Sequence, residues 1–120
     1  MQELYLFENK IGDPGVTALA KACATGALPQ LDDLDLEGNH ISDAGLEALA
    51  KAAASGAMAR CTHLNLGNNK IGDMGLEALS GALATGAMTS LKALYVDDGP
   101  LGTEHSALKA ACEARGIELL

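Results

Sequence analysis

The chain repeats itself every thirty residues, and that period decides most of what it can fold into. "LYLFENKIGDPGVTAL", Leu4 to Leu19, returns as "LDLEGNHISDAGLEAL", Leu34 to Leu49, and as "LNLGNNKIGDMGLEAL", Leu64 to Leu79. A fixed period of roughly 20–50 residues marks units that cannot bury their own apolar faces and must stack on one another. Cut at thirty, the 120 residues divide without a gap into repeats 1–30, 31–60, 61–90 and 91–120. Position one holds Met1, Leu31, Cys61 and Leu91, and position four holds Leu4, Leu34, Leu64 and Leu94. Position six holds Leu6, Leu36, Leu66 and Val96; position nine reads Asn9, Asn39, Asn69, Gly99; position eleven reads Ile11, Ile41, Ile71, Leu101.

Each repeat changes its own period halfway. The first part alternates, as in L-Y-L or L-N-L, which predicts a short strand with leucine facing inward. From position fourteen the apolar spacing becomes helical, as in Leu76, Leu79 and Leu83. Asp13, Asp43, Asp73 and Thr103 stand just before these helices and are expected to accept hydrogen bonds from their free amides. Pro14 follows at the first helical position, where its missing donor is harmless. Gly26, Gly56, Gly86 and Gly116 fall where each helix must stop and turn left-handed, a conformation glycine takes without penalty.

The motif LxxLxLxxNxIxxxG, followed by a helical leucine as in "CTHLNLGNNKIGDMGLEAL", resembles that of leucine-rich repeat proteins of the ribonuclease-inhibitor type. All four repeats take part, so the resemblance covers the whole chain as one domain. It implies an α/β solenoid, a partial horseshoe with a parallel sheet on the concave side and helices on the convex side. It also implies that the asparagines bond backbone groups in the turn after each strand and stack as a ladder. The fourth repeat departs from the pattern: Gly99 replaces the asparagine, His105 stands where Gly15, Gly45 and Gly75 stood, and Lys109 takes a leucine position. Its apolar set slides to Leu108, Ala111 and Cys112, and the tail "RGIELL" supplies a last apolar segment. This is the signature of a C-terminal cap, since terminal repeats of solenoids are atypical.

The odd strand positions must point away from the core and form ladders across the sheet. Position three reads Glu3, Asp33, His63, Ala93; position five reads Tyr5, Asp35, Asn65, Tyr95; position seven reads Phe7, Glu37, Gly67, Asp97. All three aromatics of the protein fall on these ladders, among acids that Asp32, Glu8 and Asp98 flank. Like charges on adjacent strands repel, so stability alone would favour alternating signs. Exposed aromatics mark recognition surfaces. Glu3, Tyr5, Phe7, Asp33, Asp35, Glu37, His63, Asn65, Tyr95 and Asp97 are therefore the expected binding residues, and a basic protein or peptide is the expected partner.

Other function classes find less support. A formal charge of −8 disfavours nucleic acid or an anionic membrane, because phosphate binding needs a basic surface. Glu3, Asp33, Asp35 and Glu37 could gather near a hard cation, but no ligand-dense loop accompanies them, so neither metal nor other cofactor is expected. Cys23 and Cys61 sit in core register, which leaves no nucleophile paired with a base, and no enzyme is expected. Three cysteines without tight spacing suit buried thiols in the cytosol, and no signal peptide is read at "MQELYLFENK". The rival readings are four repeats detached from a longer array, without a ligand of their own, and a small-GTPase regulator resembling the Ran GTPase-activating protein. Arg60 and Arg115 lie near helix ends, which leaves no arginine at the concave rim for the latter. Lastly, the first strand would leave an unpaired edge and the first helix would expose Val16, Leu19 and Cys23, predicting a homodimer through the N-terminal end.

Overall fold

The computed structural model describes residues 2–5, 10–26, 31–97 and 105–120. Strands and helices alternate along them: β1 Gln2–Tyr5, α1 Gly12–Ala24, β2 Leu31–Asp35, α2 Asp43–Ala54, β3 His63–Asn65, α3 Asp73–Ala84, β4 Ala93–Tyr95, α4 Ser106–Arg115 and β5 Glu118–Leu119. The strands form one parallel sheet in chain order, and each helix packs on the next. Leu4, Leu34, Leu64 and Leu94 pair across β1 to β4 one full repeat apart, as the thirty-residue period requires. Strands stack about 4.8 Å apart whereas packed helices need about 8–10 Å. A stack of such units therefore bends toward its sheet, and the fold is an α/β repeat solenoid.

Leu34, Leu64 and Leu94 of the strands, with Leu36 and Leu66 just beyond them, meet Leu46, Leu49, Leu76, Leu79, Leu83 and Leu108 of the helices, all essentially inaccessible to solvent. Each contributes about 1.5–3 kcal/mol by leaving water. The slipped set Leu108, Ala111 and Cys112 is the buried face of α4, as its sequence spacing predicts. Gly26, Gly56, Gly86 and Gly116 take φ of +85°, +103°, +96° and +68°, so the helix stops are left-handed as expected. The asparagine ladder is present where position nine is described. Asn69 donates to the carbonyls of Leu36 and Leu66, both at 3.0 Å, and of Gly67 at 3.1 Å. Its Oδ1 accepts from the amides of Asn39 and Ile41, while Asn39 Oδ1 accepts from the Ile11 amide. Asn9 and Gly99 lie outside the described residues.

Two expectations are corrected. First, the aspartates do not cap their own helices. Asp43 and Asp73 are the first residues of α2 and α3, Asp13 and Pro14 lie inside the first turn of α1, and none of these three helices has a side-chain cap of its own. Each carboxylate reaches one repeat onward instead. Asp13 Oδ1 accepts from the amides of Ser42 (2.8 Å) and Gly45 (3.1 Å), and Oδ2 from the Ser42 hydroxyl. Asp43 Oδ1 likewise accepts from the amides of Gly72 (2.7 Å) and Gly75 (2.9 Å). The glycines make room for this: a Cβ on Gly45 would lie 2.4 Å from Asp13 Oδ1, and one on Gly75 2.7 Å from Asp43 Oδ1. Thr103 lies outside the described residues.

Second, the described helix residues expected to be exposed at the N-terminal end are covered. Val16 and Cys23 are buried and Leu19 is half-buried, because helix positions that face the next repeat also face the sheet. At this end of the sheet, among the described residues, the outer edge of β1 has no partner strand. The tail adds a fifth strand: Leu94 pairs with Leu119, sooner than a full period would allow, and Ile117 is buried beneath it. Arg115, which carries no functional weight in the sequence, ties this end down. Its guanidinium donates to the carbonyls of Leu83 (3.1 Å), Ala87 and Met88 (2.8 Å), at the C-terminal end of α3 and just beyond.

Candidate functional site

The parallel register places the expected binding residues in rows on the face of the sheet turned away from the helices. Glu3, Asp33, His63 and Ala93 are consecutive partners across β1 to β4, as are Tyr5, Asp35, Asn65 and Tyr95. Phe7 lies outside the described residues, as do Glu8 and Asp98. Glu3, His63 and Asp97 are exposed, and Asp33, Asp35, Glu37 and Asn65 are half-buried. Tyr5 is 50% and Tyr95 38% exposed, unusually high for aromatics in a strand. Ala93 is buried yet stands outside the leucine core.

Two hollows divide the face. Tyr5, Asp33, Asp35, His63, Asn65 and Tyr95 line one of about 290 Å³. Glu37, Asn65, Gly67, Asn68, Tyr95 and Asp97 line most of the other, about 410 Å³, which Val96 and Leu120 complete. Glu3 lines neither. Asn65 and Tyr95 belong to both, so the hollows form one continuous concavity.

Several face residues also hold the turns. Asp35 Oδ1 accepts from the Glu37 amide and Asn65 Oδ1 from the Gly67 amide, two residues on in each case. This is the local bonding that suits Asp and Asn to strand-to-turn junctions. Asp97 Oδ1 accepts from the Asn68 amide at 2.8 Å. The Tyr5 hydroxyl donates to Asp33 Oδ2 at 3.3 Å. Partial desolvation, with the Asp33 and Glu3 carboxylates close by, pushes that hydroxyl up to about 12, so it remains a donor. At His63, Nδ1 and Thr62 Oγ1 are 2.8 Å apart, and that hydroxyl gives its proton to the Asp32 carbonyl. With that proton committed to the carbonyl, Nδ1–H donates to the hydroxyl oxygen.

Among the described residues no lysine or arginine pairs with an acid of the sheet face, and the one contact between oppositely ionisable groups is the hydrogen bond of His105 with Asp73. That pair lies elsewhere, at the start of α4. Asp73, Glu77 and His105 bring ligand atoms within 4.8 Å of one another, closer than the acids weighed for a cation on the sheet. Yet His105 Nδ1 accepts from the Leu108 amide, so Nε2 bears the proton and donates it to Asp73 Oδ1 at 2.8 Å. A protonated nitrogen has no lone pair for a metal. Asp73 and His105 form the last cap of the solenoid, with histidine relaying the aspartate to the helix where glycine is missing. The signal for it lay in the paired Asp and Gly at positions thirteen and fifteen, and in the one repeat where histidine breaks the pair.

The thiols offer no nucleophile. All three are free and buried. Burial pushes the Cys61 thiol up to about 12, and it donates to the His63 carbonyl at 3.3 Å. Burial raises Cys23 and Cys112 too. Cys61 is buried ahead of β3 whereas the His63 side chain is exposed, so the thiol and the imidazole do not share one environment. Among the described residues no helix is long and apolar enough to cross a membrane.

No curated protein matches the chain. The model of the family described as Leucine Rich repeat matches residues 1–20, 30–50 and 62–80, stopping short of the fourth repeat, where the motif is altered. With half its residues matched at the same phase of three successive repeats, and a parallel solenoid built on that phase, the chain belongs to the leucine-rich repeat family.

Proposed function

We propose that this chain is a cytosolic, non-enzymatic interaction module of the ribonuclease-inhibitor type whose sheet face receives a basic protein or peptide. Leucine-rich repeat domains generally mediate protein–protein interaction. The observation that carries the reading is the uncompensated charge: Glu3, Asp33, Asp35, Glu37 and Asp97 share one face with two exposed tyrosines, and no cation among the described residues answers them. Charge-lined faces of this kind attract oppositely charged partners and are screened by salt. Three unpaired buried thiols suit a reducing compartment.

The test is an end-blocked peptide of alternating lysine and glycine, titrated at low and at physiological salt. Binding should weaken as salt rises and disappear in the double variant Asp35→Lys, Glu37→Lys. Binding indifferent to both would refute the reading.

A further inference from the structure

One part of the sheet face is narrow enough to be matched to a single side chain. Tyr5 and Tyr95 stand in the same register row on β1 and β4, with Asp35 and Asn65 between them and Asp33 and His63 in the neighbouring row. The trough they line, about 290 Å³, is at the lower limit of pockets that hold drug-sized ligands. It is of a size to take one long side chain. Resting on the reading above, we propose that this trough receives an arginine of the partner, its guanidinium over the Asp33 and Asp35 carboxylates and against a tyrosine ring at the end of the row.

Two features select arginine over lysine. The Tyr5 hydroxyl holds Asp33 Oδ2, and the Glu37 amide holds Asp35 Oδ1. Among the described residues, Asp33 Oδ1 and Asp35 Oδ2 therefore remain open to a donor. They lie on one strand, two residues apart and on the same face. A guanidinium has five donors in a planar fork to meet acceptors spread in this way, whereas an ammonium is a compact point charge. The flanking tyrosines offer π-faces, over which a flat and weakly hydrated cation stacks readily. The acidity of the trough is unopposed, since no lysine or arginine among the described residues pairs with either aspartate.

Tyr5 and Tyr95 are the only tyrosines and there is no tryptophan, so intrinsic emission reports directly on this trough. The probe is an end-blocked peptide of alternating arginine and glycine, titrated beside its lysine counterpart at low salt. The arginine peptide should bind roughly five- to tenfold more tightly, the range expected of a partly exposed cation–π contact with a bidentate carboxylate partner. Tyr95→Leu and Tyr5→Leu, each checked by circular dichroism for an intact fold, should bring that preference below about twofold. Asp33→Asn should weaken both peptides. Equal affinity for the two peptides, or a preference that survives both tyrosine variants, would overturn the arginine trough and leave the acidic-face reading standing. Failure of both peptides to bind would overturn both.

Discussion

The cross-repeat cap can be tested by pairing Asp13 with Gly45. The Asp13 carboxylate accepts two backbone amides and one hydroxyl from the start of α2. A charged acceptor bonded to a backbone amide is worth about 1.5–3 kcal/mol net. Asp13 is only half-buried, however, and water can replace part of what is lost. The cost of Asp13→Ala is thus closer to the upper end of the capping scale, about 2 kcal/mol. Gly45→Ala should hurt by a different route with the same end: its Cβ would sit 2.4 Å from Asp13 Oδ1, so the carboxylate must leave and its bonds go with it. That loss outweighs the gain of about 1 kcal/mol that alanine brings to a helix interior. Once Asp13 is alanine the obstruction is gone. The remaining close neighbour is Ile41 Cγ2 at 3.0 Å, a side-chain methyl that can shift. Gly45→Ala should then be neutral or stabilising, and the double variant no worse than Asp13→Ala alone. Urea unfolding, followed by circular dichroism and by tyrosine emission, measures all four proteins. If Gly45→Ala costs the same in both backgrounds, within about 0.5 kcal/mol, the two residues are not coupled and the cap is misassigned.

The same carboxylate makes a pH prediction. Its bonds to Ser42, with the Gly45 amide, hold Asp13 below the usual 3.8. A depressed folded value means the stabilisation is complete above 3.8 and is lost as the pH falls through the lower folded value. The stability gap between the wild type and Asp13→Ala should therefore be constant near neutrality and close only in acid. Arg115→Ala should destabilise by about 1.5–3 kcal/mol in urea, since three carbonyls lose a charged donor, and Arg115→Lys should recover only part because an ammonium cannot span them. Cys61 should react with a thiol reagent only as fast as the protein unfolds, because its thiol is buried and raised to about 12; rapid stoichiometric labelling of the native protein would contradict its place in the core.

Much of this fold is legible in the sequence because its signals are local and recur. The alternation around Leu34 and Leu64, the helical spacing of Leu76, Leu79 and Leu83, and the glycines at the helix stops each depend on neighbours within one turn or one strand. Repetition then makes chance an untenable explanation. The rows of the sheet face follow from the same logic, since a period of thirty fixes which residues stand side by side.

What only the tertiary structure decided is where groups meet when their partners lie a whole repeat away. In a perfectly periodic chain, an aspartate just inside one helix has the same relation to that helix as to the next, offset by one period. Sequence spacing cannot choose between capping its own amides and capping its neighbour's; the stacking of helices brings Asp13 to Ser42 and Asp43 to Gly72, and so chooses. The same holds for Arg115 reaching back to the end of α3, and for β5 joining the sheet ahead of the thirty-residue phase. The burial of Val16 and Cys23 was settled this way too, because a helix in a solenoid is covered by the sheet below it as well as by the next helix. Periodicity specifies the unit; contacts across the period, made by side chains long enough to span one stacking step, determine how the units are held together.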